Sequence, residues 1–277
     1  GGTVQGDSIA CPFHGWRFEG EAGTCVEIPY AETERIPQRA KLRTYPTLER
    51  NGLVWAWHHL TEGEPFYDVP VVPEFEDPDW LEPSSIDFNV ATACQEMAEN
   101  NHDFAHFKFV HNTPIVPVFT RHDFAEPVSY VDFTITFEGD DQQAIEDVKS
   151  GVEAINGGLG IAVTKSWGMV DNRTISAITP VDESTSDVRF MVYIGRTPGK
   201  ETPRAEAKAK EFGEEIIRQF TQDVHIWSHQ RYSDPPALSS SEYEGFTAIR
   251  KWSMQFYPDG RGGSAVDLQA ASTNQKG

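Results

Sequence analysis

Cys11-Pro12-Phe13-His14-Gly15-Trp16 sets a thiolate and an imidazole three residues apart on a stretch bent by proline and glycine. Such a pair can point at one metal centre, with the following aromatic ring keeping water away. A bare C-x-x-H is more often a buried thiol beside an incidental imidazole; the full hexapeptide is much narrower. Farther on, Asn100-Asn101-His102-Asp103-Phe104-Ala105-His106-Phe107-Lys108-Phe109-Val110-His111 holds three of the nine histidines within ten positions. At about 100° per residue on a helix, His102 and His106 share a face, Asp103 lies about 60° from His106, and His111 is about 140° round. Geometry alone favours His102 with His106 as a ligand pair and admits His111 only if the helix bends or ends. The neighbours are apolar, and a buried polar group left unpaired costs about 1–3 kcal/mol. The third candidate is Asp223. With Phe212 at zero, Ile216 falls at about 40°, Phe220 at about 80°, Asp223 at about 20° and Trp227 at about 60°. A lone carboxylate on an apolar stripe must be paired or metal-bound. The alternatives are an Arg or Lys reaching across the core, or a helix that ends before Asp223. His225 and His229 fall on another, solvent-facing side.

These residues need elements to position them. Residues 1–62 carry short strand signals (Ser8-Ile9-Ala10, Trp16-Arg17-Phe18 and Leu53-Val54-Trp55-Ala56-Trp57) broken by Gly, Pro and Asn51-Gly52 turns, which predicts a small all-β unit. Pro65, Pro70, Pro73, Pro78 and Pro83 predict an extended linker or crossover over 63–85. Residues 91–111 read as helical. Strands are predicted at 129–137, 159–168, 173–180 and 187–195, and a long helix at 204–231. Residues 247–257 read as a strand or short helix, and the Gly/Ser/Gln-rich stretch 259–277 as a mobile tail. The fold class is therefore α+β, with a second domain over 86–258.

Lys plus Arg number 23 and Asp plus Glu 43, for a formal charge of −20 over 277 residues. That charge repels phosphate backbones and argues against nucleic acid as a partner. No apolar run approaches the roughly 18 residues of a membrane span, no leader pattern opens the sequence, and three scattered cysteines suit a reducing compartment. The expected location is the cytoplasm. Cys25 and Cys94, followed by Val26-Glu27 and Gln95-Glu96, read as core thiols.

The hexapeptide resembles the second ligand box of a Rieske [2Fe–2S] protein, in which two Cys bind one iron and two His the other. The resemblance implies Cys11 and His14 as cluster ligands and Trp16 as a shield. The C-x-H partner box is absent from the sequence, so the chain is expected to be a truncated copy starting between the two boxes. The spacing N-x-x-D-x-x-H-x-x-x-x-H, at Asn100, Asp103, His106 and His111, resembles the mononuclear iron motif of Rieske non-haem iron oxygenases. The resemblance makes His106 and His111 iron ligands, His102 a bystander or a group supporting the ligands, Asn100 a supporting group, and Asp103 a bridge to a cluster histidine (His14) of a neighbouring subunit. The segment Gln222-Asp223-Val224-His225-Ile226-Trp227 resembles the source of the third Fe(II) ligand, Asp223. Ile28-Pro29-Tyr30, Pro46 through Leu53 with Trp57, and Arg250-Lys251-Trp252 with Gln255-Phe256-Tyr257 resemble the steroid-acting branch, which includes 3-ketosteroid 9α-hydroxylase oxygenase components and cholesterol 7-desaturases. Asn112 to Glu126 departs from that branch.

The resemblance implies a helix-grip catalytic domain, a curved antiparallel sheet around the long helix, in a head-to-tail homotrimer. Electrons would come from an NAD(P)H-dependent flavin/iron–sulfur reductase through the cluster and Asp103 to the iron, where O2 is used on a C–H bond of a steroid. Hydroxylation is the first reading and sterol desaturation the second. Rivals are an oxygenase of aromatic acids, whose pocket needs a buried Arg or Lys (Lys108 and Lys165 are candidates), an electron carrier, and a non-enzymatic sterol-binding module.

Overall fold

The computed structural model describes residues 1–33, 35–59, 63–113, 116–136, 149–168, 170–196 and 202–257. They form two compact units that divide between Pro65 and Phe66. The expected tail at 259–277 lies outside the described residues.

The first unit is built from short strands. β1 (Thr3–Gln5), β2 (Ser8–Ala10), β3 (Arg17–Glu19) and β4 (Cys25–Glu27) pair antiparallel in sequence order. β5 (Thr47–Arg50) and β6 (Leu53–Ala56) form a separate hairpin. Asn51 and Gly52 turn it at φ 55° and 73°; both central positions of the favoured two-residue hairpin turn need positive φ, which Asn-Gly tolerates. β5 and β6 alternate half-buried and exposed positions, as strands covered on one face do.

The second unit centres on one antiparallel sheet. Its strands are β7 (Ser84–Val90), β8 (Val118–Ala125), β9 (Val128–Thr136), β10 (Lys149–Gly157), β11 (Ile161–Trp167), β12 (Asn172–Pro180) and β13 (Ser186–Ile194), in spatial order β7-β13-β12-β11-β10-β9-β8. The four expected strands appear as β9, β11, β12 and β13. β7, β8 and β10 are additional. β7 does alternate Ile86, Phe88 and Val90, but it follows the proline-rich stretch; β10 is interrupted by Gly151 and Glu153.

The stretch read as a linker joins this unit. Val69, Val72 and Leu81 are buried. The Leu81 amide donates to the Ile194 carbonyl at 2.9 Å, and Trp80 bridges to Gly195. Glu74 accepts from Arg173 Nε at 2.7 Å, and that guanidinium lies 4.6 Å over the Trp80 ring. Pro73 opens a single 3-10 turn (Pro73–Phe75), and side chains and single backbone bonds fix the stretch to β12 and β13.

One face of the sheet is covered by helices. α1 (Cys94–Asn100) and α2 (Ala105–Phe109) replace the single helix expected over 91–111. The long helix α3 (Pro203–Trp227) starts where Thr202 Oγ1 accepts the Ala205 amide at 3.2 Å and Pro203 occupies the first turn. Its Phe212, Ile216 and Phe220 pack on Phe190, Val192 and Ile194 of β13. Trp227, one turn beyond Asp223, meets Val90, Met97 and Val188. α4 (Tyr243–Ser253) settles the strand-or-helix choice near the C-terminus, burying Ile249, Trp252 and Ser253 at helical spacing. No helix among the described residues is long and apolar enough to cross a membrane.

Candidate active site

The break between α1 and α2 creates the site. Asp103 Oδ1 accepts the amides of Ala105 (3.0 Å) and His106 (3.3 Å), capping α2 before its first turn. The Asp103 carbonyl takes His106 Nδ1 at 2.6 Å. A carbonyl only accepts, so Nδ1 carries the hydrogen and Nε2 is left with a free lone pair. α2 ends after one turn, and Asn112 at φ 58° reverses the chain. His111, just past the end of α2 and before that reversal, stands beside His106, with ring centroids 5.1 Å apart. The helix does end, as the 140° offset required.

Asp223 comes to the same place from α3. Its Oδ2 lies 3.3 Å from His111 Nε2, and Gln222 Oε1 lies 3.4 Å from His111 Nδ1. One ligating atom each from His106, His111 and Asp223 fall within 4.8 Å of one another. Burial pulls His106 below the ordinary imidazole value, and the charges of Asp223 and Asp103 offset it only in part. Burial also acts downward on His111, but the Asp223 hydrogen bond and charge, with Gln222, raise it overall. Among the described residues no Lys or Arg pairs with Asp223, so the cross-core ion pair is not formed. Two imidazoles and a buried carboxylate without a cationic side chain make a donor set suited to Fe(II) with open positions.

His102 is not part of this set. The helix between it and His106 is broken, so the shared face of an ideal helix does not exist. His102 is 0% exposed, and its Nδ1 sits 2.6 Å from His122 Nε2 on β8. His122 was not singled out in the sequence; a histidine twenty residues away on a strand gave no spacing signal. Gln222 stood in the quoted segment without a role. His225 and His229 are exposed, and Cys25 and Cys94 are buried.

The three residues sit beside a cavity of about 400 Å³, within the ~300–1,000 Å³ usual for small-molecule sites. Phe107, Phe133, Phe190, Phe212, Phe220 and Trp227 make much of its wall. Its floor is the inward row of β10–β12, where Val152, Ser166 and Asn172 stand side by side, as do Ala154, Thr164 and Thr174. No described lining residue is Lys or Arg. Lys165 pairs with Glu153 at 3.7 Å, and Lys108 is exposed.

In the first unit the Cys11–Trp16 loop is closed by the Cys11 amide on the Trp16 carbonyl (2.8 Å) and the Gly15 amide on the Cys11 carbonyl (2.9 Å). Gly15 has φ 72°, and a Cβ there would meet Pro29 at 3.2 Å. Trp16 Nε1 donates to Tyr30 Oη at 2.8 Å, tying the quoted Ile28-Pro29-Tyr30 segment to the loop. Cys11 and His14 offer a thiolate and an imidazole, half the ligands of a Cys2His2 cluster.

Residues 1–46 match the Rieske [2Fe-2S] domain, and residues 56–257 match the 3-ketosteroid 9α-hydroxylase C-terminal domain. The second match spans most of the chain. The chain belongs to the 3-ketosteroid 9α-hydroxylase family of Rieske proteins. A cholesterol 7-desaturase of Xenopus laevis is 30% identical over 93% of this chain and 60% of its own length. A 3-ketosteroid-9-alpha-monooxygenase oxygenase component of Rhodococcus rhodochrous is 31% identical over 93% of this chain and 68% of its own. The chain thus spans about two thirds of these family members. The solved structure of dicamba monooxygenase bound to dicamba superposes with a TM-score of 0.64 at 17% identity, covering 92% of this chain and 81% of the other. That likeness establishes the shared fold, a Rieske-type β unit followed by a catalytic unit with a large antiparallel sheet.

Proposed function

We propose that this member of the 3-ketosteroid 9α-hydroxylase family is the terminal oxygenase of a multicomponent system, acting in the cytoplasm on a steroid. The observation that carries the reading is the convergence of His106, His111 and Asp223 on the edge of a largely apolar cavity. His106, His111 and Asp223 would hold Fe(II), which supplies O2 activation beside the substrate when bound. Cys11 and His14, shielded by Trp16, would be ligands of a [2Fe–2S] cluster, and an NAD(P)H-dependent flavin/iron–sulfur reductase would supply electrons. In a head-to-tail homotrimer, Asp103 would face His14 of a neighbouring copy. Asp103 suits a bridging role because its Oδ1 and carbonyl are already committed to α2 and His106.

The protein's own work is positional. Asp103 and Gln222 hold the imidazoles so that both present Nε2. Asn100, at the end of α1, lines the same cavity as His106. The aromatic walls bury the ring system and exclude water from the reacting carbon. The absence of Lys or Arg from the described lining disfavours an aromatic acid, whose carboxylate needs such a partner.

The test is turnover. A form carrying a complete cluster ligand set, with reductase and NADH, is assayed by mass spectrometry against steroids and aromatic acids under labelled O2. One labelled oxygen in a steroid product indicates hydroxylation. Loss of two hydrogens indicates the desaturation that the similarity to a cholesterol 7-desaturase supports as second reading. Turnover of aromatic acids alone rejects the steroid assignment, and a wild type that binds sterols but turns over nothing, with affinity and function left intact by His106→Ala, favours the sterol-binding module.

A further inference from the structure

A second cavity, of about 240 Å³, shares Asn100, His106, Asp223 and Trp227 with the first. Two of the candidate iron ligands, His106 and Asp223, therefore stand between an apolar chamber and an acidic one, whose lining adds Glu96, Glu99 and Asp103. Three of its four carboxyl groups have evident partners. Glu99 takes Arg250 through both oxygens (2.9 and 3.1 Å) and Gln95 Nε2 at 2.8 Å. Asp103 caps α2, and Asp223 faces His111.

Glu96 is only half satisfied: its carboxyl accepts from the backbone at the start of α1, but one oxygen is left over. It is 7% exposed, and its Oε2 is sealed from solvent with no hydrogen-bond partner. A buried carboxylate with one bare oxygen lacks part of the solvation its charge needs, whereas a carboxylic acid puts a neutral O–H there. Burial raises the Glu96 carboxyl above its ordinary value, and the Glu99 charge acts the same way. The backbone at the start of α1 and Arg250 on α4 oppose them without prevailing. Cys94 on α1 and the phenols of Tyr232 and Tyr257 complete the titratable surroundings.

We propose that Glu96 is held as a carboxylic acid and feeds protons, through the acidic cavity, to the side of the site formed by His106 and Asp223. The proposal rests on the oxygenase reading and holds for either outcome. Hydroxylation is R–H + O2 + 2 e⁻ + 2 H⁺ → R–OH + H2O: a C–H and the O–O bond break, and C–O and O–H bonds form. Desaturation removes two C–H hydrogens and forms C=C with two H2O, again consuming two electrons and two protons. The reductase supplies the electrons. The apolar cavity must stay dry, so the protons need another path; each one Glu96 gives up is replaced from bulk water.

Infrared spectra of the protein without substrate or reductant test the protonation. A C=O stretch of a protonated carboxyl, shifted in D2O, is expected at neutral pH in the wild type and in Glu99→Gln, and is lost in Glu96→Gln and Glu96→Met. Having two variants lets one decide if the other does not fold. A missing band, or one that persists in both Glu96 variants, overturns the proposal. In steady state, Glu96→Gln is expected to lower kcat by about 100-fold with KM for the steroid unchanged, and to divert reduced oxygen to hydrogen peroxide. Glu96→Asp retains much of the rate. Wild-type kcat and coupling in Glu96→Gln overturn the delivery role even where the band is present. A wild type that turns over no substrate at all overturns the oxygenase reading and delivery with it, while the infrared result stands independently.

Discussion

The two units hold their reactive residues by opposite means. In the first, strands are three or four residues long, and Gly23, Cys25 and Asn51 alone are buried among its described residues. Its reactive loop is contiguous and exposed, with Phe13 82% open to solvent. In the second, a histidine pair and a carboxylate 112 positions beyond His111 meet in the interior, with core clusters spanning β7, β13, α1 and α3 around them. A thin unit has little apolar burial to draw on, so its stability depends more on what its loop binds. The second unit sets its geometry by packing before any ligand arrives.

The largest effect follows from that contrast. His106→Ala, His111→Ala or Asp223→Ala each remove one of three donors, and iron retained per catalytic unit is expected to fall to background together with turnover. Iron analysis after desalting checks it. The α-helical circular dichroism should stay, because the aromatic wall and not the metal holds α3 on β13. A collapse of secondary structure in all three variants would erase the distinction between the units.

The same contrast explains what the sequence could disclose. Cys11 to Trp16 lies in one loop, so its chemistry was readable as a string. The apolar stripe around Asp223 was readable because α3 is long and regular, and its prediction at 204–231 against an observed Pro203–Trp227 misses little. The histidines were harder. A wheel drawn through 102–111 presumes one helix, and nothing in the periodicity shows that Asp103 would spend its side chain on the amides of 105 and 106 and restart the helix. The ideal-helix pair of His102 and His106 failed for that reason, and only the family resemblance pointed to His111. For the stretch 63–85, read as a linker or crossover, proline density marks chain outside regular elements and does not say whether that chain is free or, as Val69, Val72 and Leu81 are, packed on the second unit.

A buried ion pair gives the next largest effect. Glu99 is 2% exposed and held by Arg250 through both oxygens. Arg250→Ala strands that carboxylate and should cost the second unit about 3–5 kcal/mol, read as a lower urea midpoint. Breaking the exposed Arg189–Asp87 pair on the same unit should leave the midpoint where it was.

Acid should act on the second unit through His102. Burial, with the neighbouring His122, lowers its value to about 3 from 6.5. The unfolded chain therefore binds a proton here that the native chain refuses, and stability rises with pH across that interval. It is fully present above pH 6.5 and lost as pH falls toward 3, with a slope approaching about 1.4 kcal/mol per pH unit. Burial lowers His122 as well, so the pair acts in one direction. His102→Phe should flatten the pH dependence of the urea midpoint between 6.5 and 4. An unchanged slope would mean that the His102–His122 contact opens to water before the unit unfolds.

The smallest effect is chemical and costs no stability. Thiolate, not thiol, is the nucleophile, and burial pushes Cys94 up to about 12. Cys25 is also buried, its Sγ 3.4 Å from the Glu27 carbonyl. Cys11 is half-buried on the exposed loop. In protein free of cluster, iodoacetamide at neutral pH should label Cys11 first. Cys94 should label only in denaturant, since at pH 7 almost none of it is thiolate and the second unit must open to expose it. Mass mapping of the labelled peptides reads this directly. Labelling of Cys94 at the rate of Cys11 would show that α1 leaves the sheet on its own, and the preset geometry claimed for the second unit would then be no firmer than that of the first.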